Sequence, residues 1–192
     1  YKRQFQATLE IKPEKAIKLE KDALAQIENI TADNARLVSN LHANLGGLYR
    51  MNGHPDLARE HMEKSISLLD QFNLLHINDS IPQIANYAMF LTEQQEPERG
   101  ISELQKLSGI IKEYHSDDCL DYAKVQETLG TIYLMTANLP QAKTHFKRAF
   151  KIYEKIWADE PEMIEAKYQE IQELYPQIGF CIGKNLSGLL TK

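Results

Sequence analysis

The chain has 192 residues, 43% of them apolar and 26% charged, and this is the balance of a folded globular protein and not of a disordered or fibrous one. Its 22 Lys and Arg against 27 Asp and Glu leave a net charge of -5, which argues against the basic face of a direct nucleic-acid binder. No stretch approaches the roughly 18 apolar residues of a membrane span, no apolar signal core opens the sequence, and Cys119 and Cys181 have neither disulfide-framework nor zinc spacing, so a reducing, cytoplasmic setting is expected.

Residues 1–10 carry Phe5 and Leu9 four apart and read as the tail of a helix that begins upstream; the start at Tyr1, not at a methionine, reads as a fragment or processed product. Residues 13–28 form a helix on this reading, with Pro13 in the first turn, where its missing N–H costs nothing, and Ala16, Ile17, Ala23, Leu24 and Ile27 on one apolar face. Residues 29–34 break it, with Thr31 or Asp33 as N-cap of a long helix ending near Met51. Asn52-Gly53 stops that helix because both residues tolerate the left-handed conformation. Pro55 opens the next, whose buried stripe is Leu57, Ala58, Met62, Ser65, Ile66 and Leu69 as far as Phe72. After a connector at 73–80, a helix over 81–93 carries Ile84, Tyr87, Ala88 and Leu91, and Pro97 opens its partner with Ile101, Leu104, Leu107 and Ile111 inward. Ser116 or Asp117 caps a helix over 120–136, and residues 139–156 complete that pair. Asp159 and Glu162 have capping-box spacing around Pro161, and the last pair runs over 161–174 and 176–190.

These segments are copies of one another. Pro13, Pro55 and Pro97 stand at equal intervals, which sets a 42-residue period in which helices come in pairs. Leu129-Gly130-Thr131-Ile132-Tyr133, followed by Ala142, Phe146 and Ala149, recurs two periods earlier as Leu45, Gly46, Tyr49, Ala58, Met62 and Ser65. One period earlier stand Tyr87, Ala88, Leu91, Gly100, Leu104 and Leu107, where large and small apolar residues keep their order. The final helix departs from the period: Pro176 arrives early, and Ile178, Ile182, Leu186, Leu189 and Leu190 make a continuous stripe, as a cap over its neighbour's apolar face requires. The expected organisation is one solenoid over 1–192, with an incomplete first repeat at 1–30, repeats at 31–73, 74–115 and 116–157, and a last repeat with capping helix at 158–192.

Leu129-Gly130-x-x-Tyr133 and Ala142-x-x-x-Phe146 resemble the tetratricopeptide repeat, whose pattern is L-G-x-x-Y and then A-x-x-x-F. Gly130 and Ala142 let two antiparallel helices approach, while Tyr133 and Phe146 fill the space between repeats. The usual repeat is shorter, at about 34 residues. The 42-residue period, with Asn44 and Asn86 directly before the Leu position and the Trp157-Ala158-Asp159-Glu160-Pro161 connector, is similar to the kinesin light chain type. Tyr87-Ala88 for Leu-Gly, Gly100 for Ala, and Glu127-Thr128 in place of paired asparagines depart from it. The resemblance implies an all-α fold, a right-handed superhelix of antiparallel helix pairs. It also implies a non-catalytic scaffold without cofactor that binds a peptide or partner protein, and that touches neither nucleic acid nor membrane. A rival reading makes the array a peptide-sensing domain of a larger transcription regulator or signalling protein.

Nothing else in the chain competes as chemistry. His61 and His145 share one repeat phase, which points to structure and not to metal or catalysis, and no HExxH spacing occurs. Gly46-Gly47 lies inside a helix with no preceding strand, so close helix packing accounts for it better than a phosphate loop. Asp117, Asp118 and Asp121 suit a helix N-terminus without any cation. The glycosylation-type triplets at Asn29, Asn78 and Asn185 are common by chance.

In the family the first helix of each pair lines the concave groove. The phase maps that surface onto Asn40, Asn44, Arg50 and Met51, then Asn86 and Met89, then Lys124, Glu127, Thr131 and Met135. Methionines suit a surface that accepts varied apolar groups, although Met at helical spacing also serves ordinary packing. The set of Lys, Asn and Arg with which some relatives clamp a peptide carboxylate is incomplete, since only Asn86 and Lys124 fall on those phases while Ala43, Gly47 and Thr128 occupy others.

Overall fold

The computed structural model describes residues 13–174 and residue 176; the expected helix tail at 1–10 and, apart from Pro176, the expected capping helix lie outside the described residues. There are eight helices and no strand among the described residues: α1 (Pro13–Ala25), α2 (Ala35–Met51), α3 (Pro55–Gln71), α4 (Ser80–Glu93), α5 (Pro97–Tyr114), α6 (Leu120–Met135), α7 (Leu139–Ile156) and α8 (Pro161–Leu174). Pro13, Pro55 and Pro97 are each the first residue of a helix, where the absent N–H would have been unpaired in any case. The described residues gather into two compact units that divide between Phe90 and Leu91.

The turn inside each helix pair is one motif repeated once per period. Gly53, Gln95 and Ala137 all have positive φ, at 73, 65 and 58°. The following amide closes back on the helix in each copy, His54 to Tyr49 O at 3.0 Å, Glu96 to Leu91 O at 2.8 Å and Asn138 to Tyr133 O at 2.7 Å. Together with the bonds from Gly53, Gln95 and Ala137 to the carbonyls of Arg50, Thr92 and Leu134, this is the Schellman helix end. Only its first copy carries the glycine that made it visible in the sequence.

In the first unit α2 lies against α3. A Cβ added to Gly46 would stand 2.6 Å from Met62 Cγ and 3.3 Å from Ala58 O, so hydrogen is the only substituent that permits this approach. Gly47 faces open space, so close packing explains Gly46 alone. The buried stripe of α3 is Ala58, Met62, Ser65, Leu68 and Leu69. It is rotated from the expected one: Leu57 is 40% exposed and Ile66 half-buried, while Leu68, absent from the reading, is inside. Helix α1 ends at Ala25 and buries no residue completely, with Leu19 56% exposed, so its expected apolar face is only partly covered.

In the second unit the same contact recurs between α6 and α7, where a Cβ on Gly130 would meet the Phe146 ring at 2.9 Å. Ala142, Phe146 and Ala149 are fully buried, as are Leu129 and Ile132 opposite them. Helix α8 joins through Tyr168, whose ring meets Phe150 edge-on at 5.5 Å.

Three helix starts differ from the expected caps. Asn34 occupies the N-cap position of α2 without a side-chain bond into the helix, and its Oδ1 instead accepts from the Thr31 amide at 2.8 Å. Cys119 caps α6, its Sγ accepting from Tyr122 N at 3.4 Å, while Ser116 Oγ accepts from Asp118 N outside the helix. Helix α8 starts at Pro161, which puts Glu160 and not Asp159 next to it and breaks the capping-box register.

Candidate functional site

The ten predicted groove residues fall into two groups, one on α2 and α4 and one on α6. In the first unit Asn44 and Asn86 are exposed, Met51 is 79% exposed, and Asn40, Arg50 and Met89 are half-buried. Asn44 Nδ2 donates to Glu20 Oε1 of α1 at 3.0 Å. Asn40 is held more tightly: its Oδ1 accepts from Gln83 Nε2 at 2.6 Å, and its Nδ2 donates to Asp79 Oδ2 at 3.2 Å. Asp79 also accepts from Arg36 Nε at 2.6 Å, and the two hydrogen bonds hold its carboxyl below the usual range. On its other side Gln83 Oε1 accepts from Ser39 Oγ at 2.8 Å and from the Ser65 hydroxyl. Ser39, Ser65 and Gln83 are all buried, so the chain from Arg36 to Ser65 is a satisfied polar network that ties α2, α3 and the start of α4 together.

In the second unit Lys124 is exposed and lies 3.7 Å from Asp121, Glu127 is half-buried, Met135 is 45% exposed, and Thr131 is buried at 8% exposure and offers a ligand little surface. Glu127 accepts from Tyr153 Oη at 2.7 Å and meets Lys167 Nζ at 3.0 Å. Burial, and then the Glu127 carboxylate, raise the Tyr153 phenol, so it stays protonated. Burial lowers the Lys167 ammonium, but Glu127 and Glu170 outweigh it and leave it raised.

Beside this triad is a cleft of about 270 Å³. Helix α6 supplies Leu120 and Lys124, the end of α7 supplies Tyr153 and Trp157, and α8 supplies Met163, Ala166, Lys167 and Glu170. Tyr153 and Trp157 stack with ring centroids 4.9 Å apart and planes 8° from parallel. The cleft thus combines an apolar floor with charged groups, which fits an amphipathic side chain and its flanking backbone. A second cleft of about 440 Å³, between α5 and the end of α6, contains none of the predicted residues.

Of the predicted residues, Lys124 lines the 270 Å³ cleft and Glu127 anchors the residues behind it. Gln83, Tyr153, Trp157 and Lys167 are not among the residues expected from the sequence. One signal was present: Gln83 and Lys167 are two periods apart, hence on one phase, and each reaches back to the first helix of the preceding pair, at Asn40 and Glu127. The acidic group at the start of α6 holds three lysines, with Asp117 3.7 Å from Lys112, Asp121 3.7 Å from Lys124, and Asp118 paired with Lys155. Among the described residues no group of three or more His, Cys, Asp or Glu is placed to hold a metal ion, and no helix is long and apolar enough to cross a membrane.

The tetratricopeptide repeat family model matches residues 80–155. No curated protein matches the chain. Among solved structures, the crystal structure of BtubC (BKLC) from P. vanneervenii is similar with a TM-score of 0.67 at 20% identity, over 77% of this chain and 58% of that one. The chain therefore spans less than two thirds of that protein's length, and at this identity the likeness shows the fold alone. Residues 80–155 are tetratricopeptide repeat, on a chain whose fold is a helical-repeat solenoid of antiparallel helix pairs.

Proposed function

We propose that the chain is a non-catalytic interaction module that holds an extended peptide, or an extended segment of a partner protein, along the first helices of its pairs. Tetratricopeptide repeats in general mediate protein–protein interaction. On this reading residues 1–192 form one array of the kinesin light chain type, acting in the cytoplasm without cofactor and without contact to nucleic acid or membrane. The observation that carries it is the cleft between α6, α7 and α8, whose lining includes the predicted Lys124 together with the stacked Tyr153 and Trp157. In the first unit the exposed carboxamides of Asn44 and Asn86 offer both donor and acceptor, so they pair with a peptide backbone whatever side chains it carries.

The test is selection of binders from a random peptide library against the purified chain, followed by affinity measurement on variants. Asn44→Ala with Asn86→Ala is expected to weaken binding by about ten- to thirtyfold, as two hydrogen bonds of about 1 kcal/mol each require. Glu20→Ala breaks the same α1 contact that Asn44 makes but leaves both carboxamides, and is expected to bind normally. Binding by the double variant at wild-type strength, or its equal loss in Glu20→Ala, assigns the asparagines to structure.

A further inference from the structure

His42 on α2 and His61 on α3 meet with Nδ1 atoms 2.9 Å apart and ring centroids 5.0 Å apart. A hydrogen bond at that distance needs one N–H and one lone pair, so at least one ring is neutral. His61 is held in place on its other side by Tyr49, stacked at 5.4 Å with planes 18° apart. The same construction stands two periods later. His145 stacks on Tyr133 at 5.3 Å and 18°, and its Nδ1 lies 2.9 Å from Gln126 Oε1. Gln126 occupies the phase of His42, and its carbonyl accepts from His145 whether that ring is neutral or charged.

We propose that the His42–His61 pair is a pH-sensitive latch between α2 and α3, closed while either ring is neutral and loosened when both carry a proton. With both rings protonated two N–H groups face each other and two like charges lie in contact, an arrangement that Gln126 makes impossible in the later copy. The surroundings relieve this repulsion only in part. From α1, Lys21 lies 5.6 Å over the Tyr49 ring and opposes charge on His61, while Glu20 is engaged by Asn44. On α3, Glu60 favours protonation of both rings, at His61 more than Lys21 opposes it, and Lys64 opposes it at His42. His54 touches the Tyr49 ring edge-on at 6.2 Å, and from α4 the Tyr87 hydroxyl is given to Glu63 and not to either imidazole. Burial first, and then His61, push the His42 pKa down to about 4, and burial lowers His61 as well, consistent with a pair that resists its second proton. The latch acts on α2, which also carries Asn44, so it would couple acidity to the proposed binding face.

Reciprocal exchange tests it. Thermal melting of the full chain between pH 7 and pH 4.5 is expected to fall more steeply for the wild type than for His42→Gln, by roughly 2 to 4 °C. Gln126→His is expected to steepen the fall by a similar amount, because it installs the pair in the later copy. Parallel pH profiles for all three proteins would overturn the proposal. Should His42→Gln fail to fold, Gln126→His decides alone, together with an NMR titration of the wild-type rings. Two separated, mutually dependent steps for His42 and His61 support the latch, and independent titration at the ordinary histidine pKa rules it out.

Discussion

A left-handed backbone costs an L-residue about 1–2 kcal/mol, and this chain accepts that cost in two of its three equivalent turns. Gly53 takes the conformation freely, whereas Gln95 and Ala137 hold φ of 65 and 58° because the helix-closing bond that follows each, Glu96 to Leu91 O and Asn138 to Tyr133 O, leaves the turn no other geometry. Ala137 is exposed, so its side chain contributes nothing that glycine would forfeit. Ala137→Gly is therefore expected to stabilise the chain by roughly 0.5–1 kcal/mol, the relief of strain exceeding glycine's entropy in the unfolded state. Thermal melting reads it directly. An unchanged or lower midpoint would mean that the turn relaxes elsewhere and stores no strain at this residue.

Between elements, the triad of Glu127 on α6, Tyr153 on α7 and Lys167 on α8 joins three helices through one carboxylate. Tyr153 is 1% exposed, so its hydroxyl cannot fall back on bulk water, and a hydrogen bond to a charged group is worth about 1.5–3 kcal/mol. Tyr153→Phe is expected to lose that amount in urea unfolding while keeping the Trp157 stack, and a loss below about 0.5 kcal/mol would show that Lys167 alone satisfies Glu127. This bond was not legible in the sequence. The start and end of α7 and α8 and the proline openings of α3 and α5 were, because proline at a first turn and apolar spacing are local signals. The caps at Asn34 and Cys119 were not, since neighbouring Thr31, Asp33, Ser116 and Asp117 are equally able cap formers and tertiary packing chooses where the helix begins. The candidate site was half legible for a similar reason. Periodicity located Lys124 and the exposed carboxamides of Asn44 and Asn86, but whether a polar side chain faces a ligand or, like Asn40 and Glu127, bridges to the next helix depends on what Gln83 and Lys167 bring opposite it.

For the whole molecule, repetition has a thermodynamic consequence, because repeat proteins open locally and each part carries its own stability. Among the described residues the first unit contains two imidazoles held below the ordinary histidine pKa, His42 and His61, and the second contains one, His145, lowered first by burial and then by Arg148. A group whose folded pKa is depressed stabilises fully above its unfolded value. That contribution is lost as pH falls from about 6.5 toward the folded value, which for His42 is about 4. In this window the unfolded first unit takes up as many as two protons that the folded one refuses, against one for the second. The slopes are bounded by about 1.4 kcal/mol per pH unit for each proton, a limit that half-exposed rings do not reach. Asp79, also depressed, titrates below this range and leaves the comparison intact. Acid is therefore expected to weaken α2 and α3 before α6 and α7. Hydrogen exchange followed by mass spectrometry at pH 7 and pH 5, expressed as protection factors, measures it. Protection over residues 35–71 should fall by a larger factor than over residues 120–156, and an equal fall, or a larger one in the second unit, would show that the three histidines do not govern the acid stability of their helix pairs.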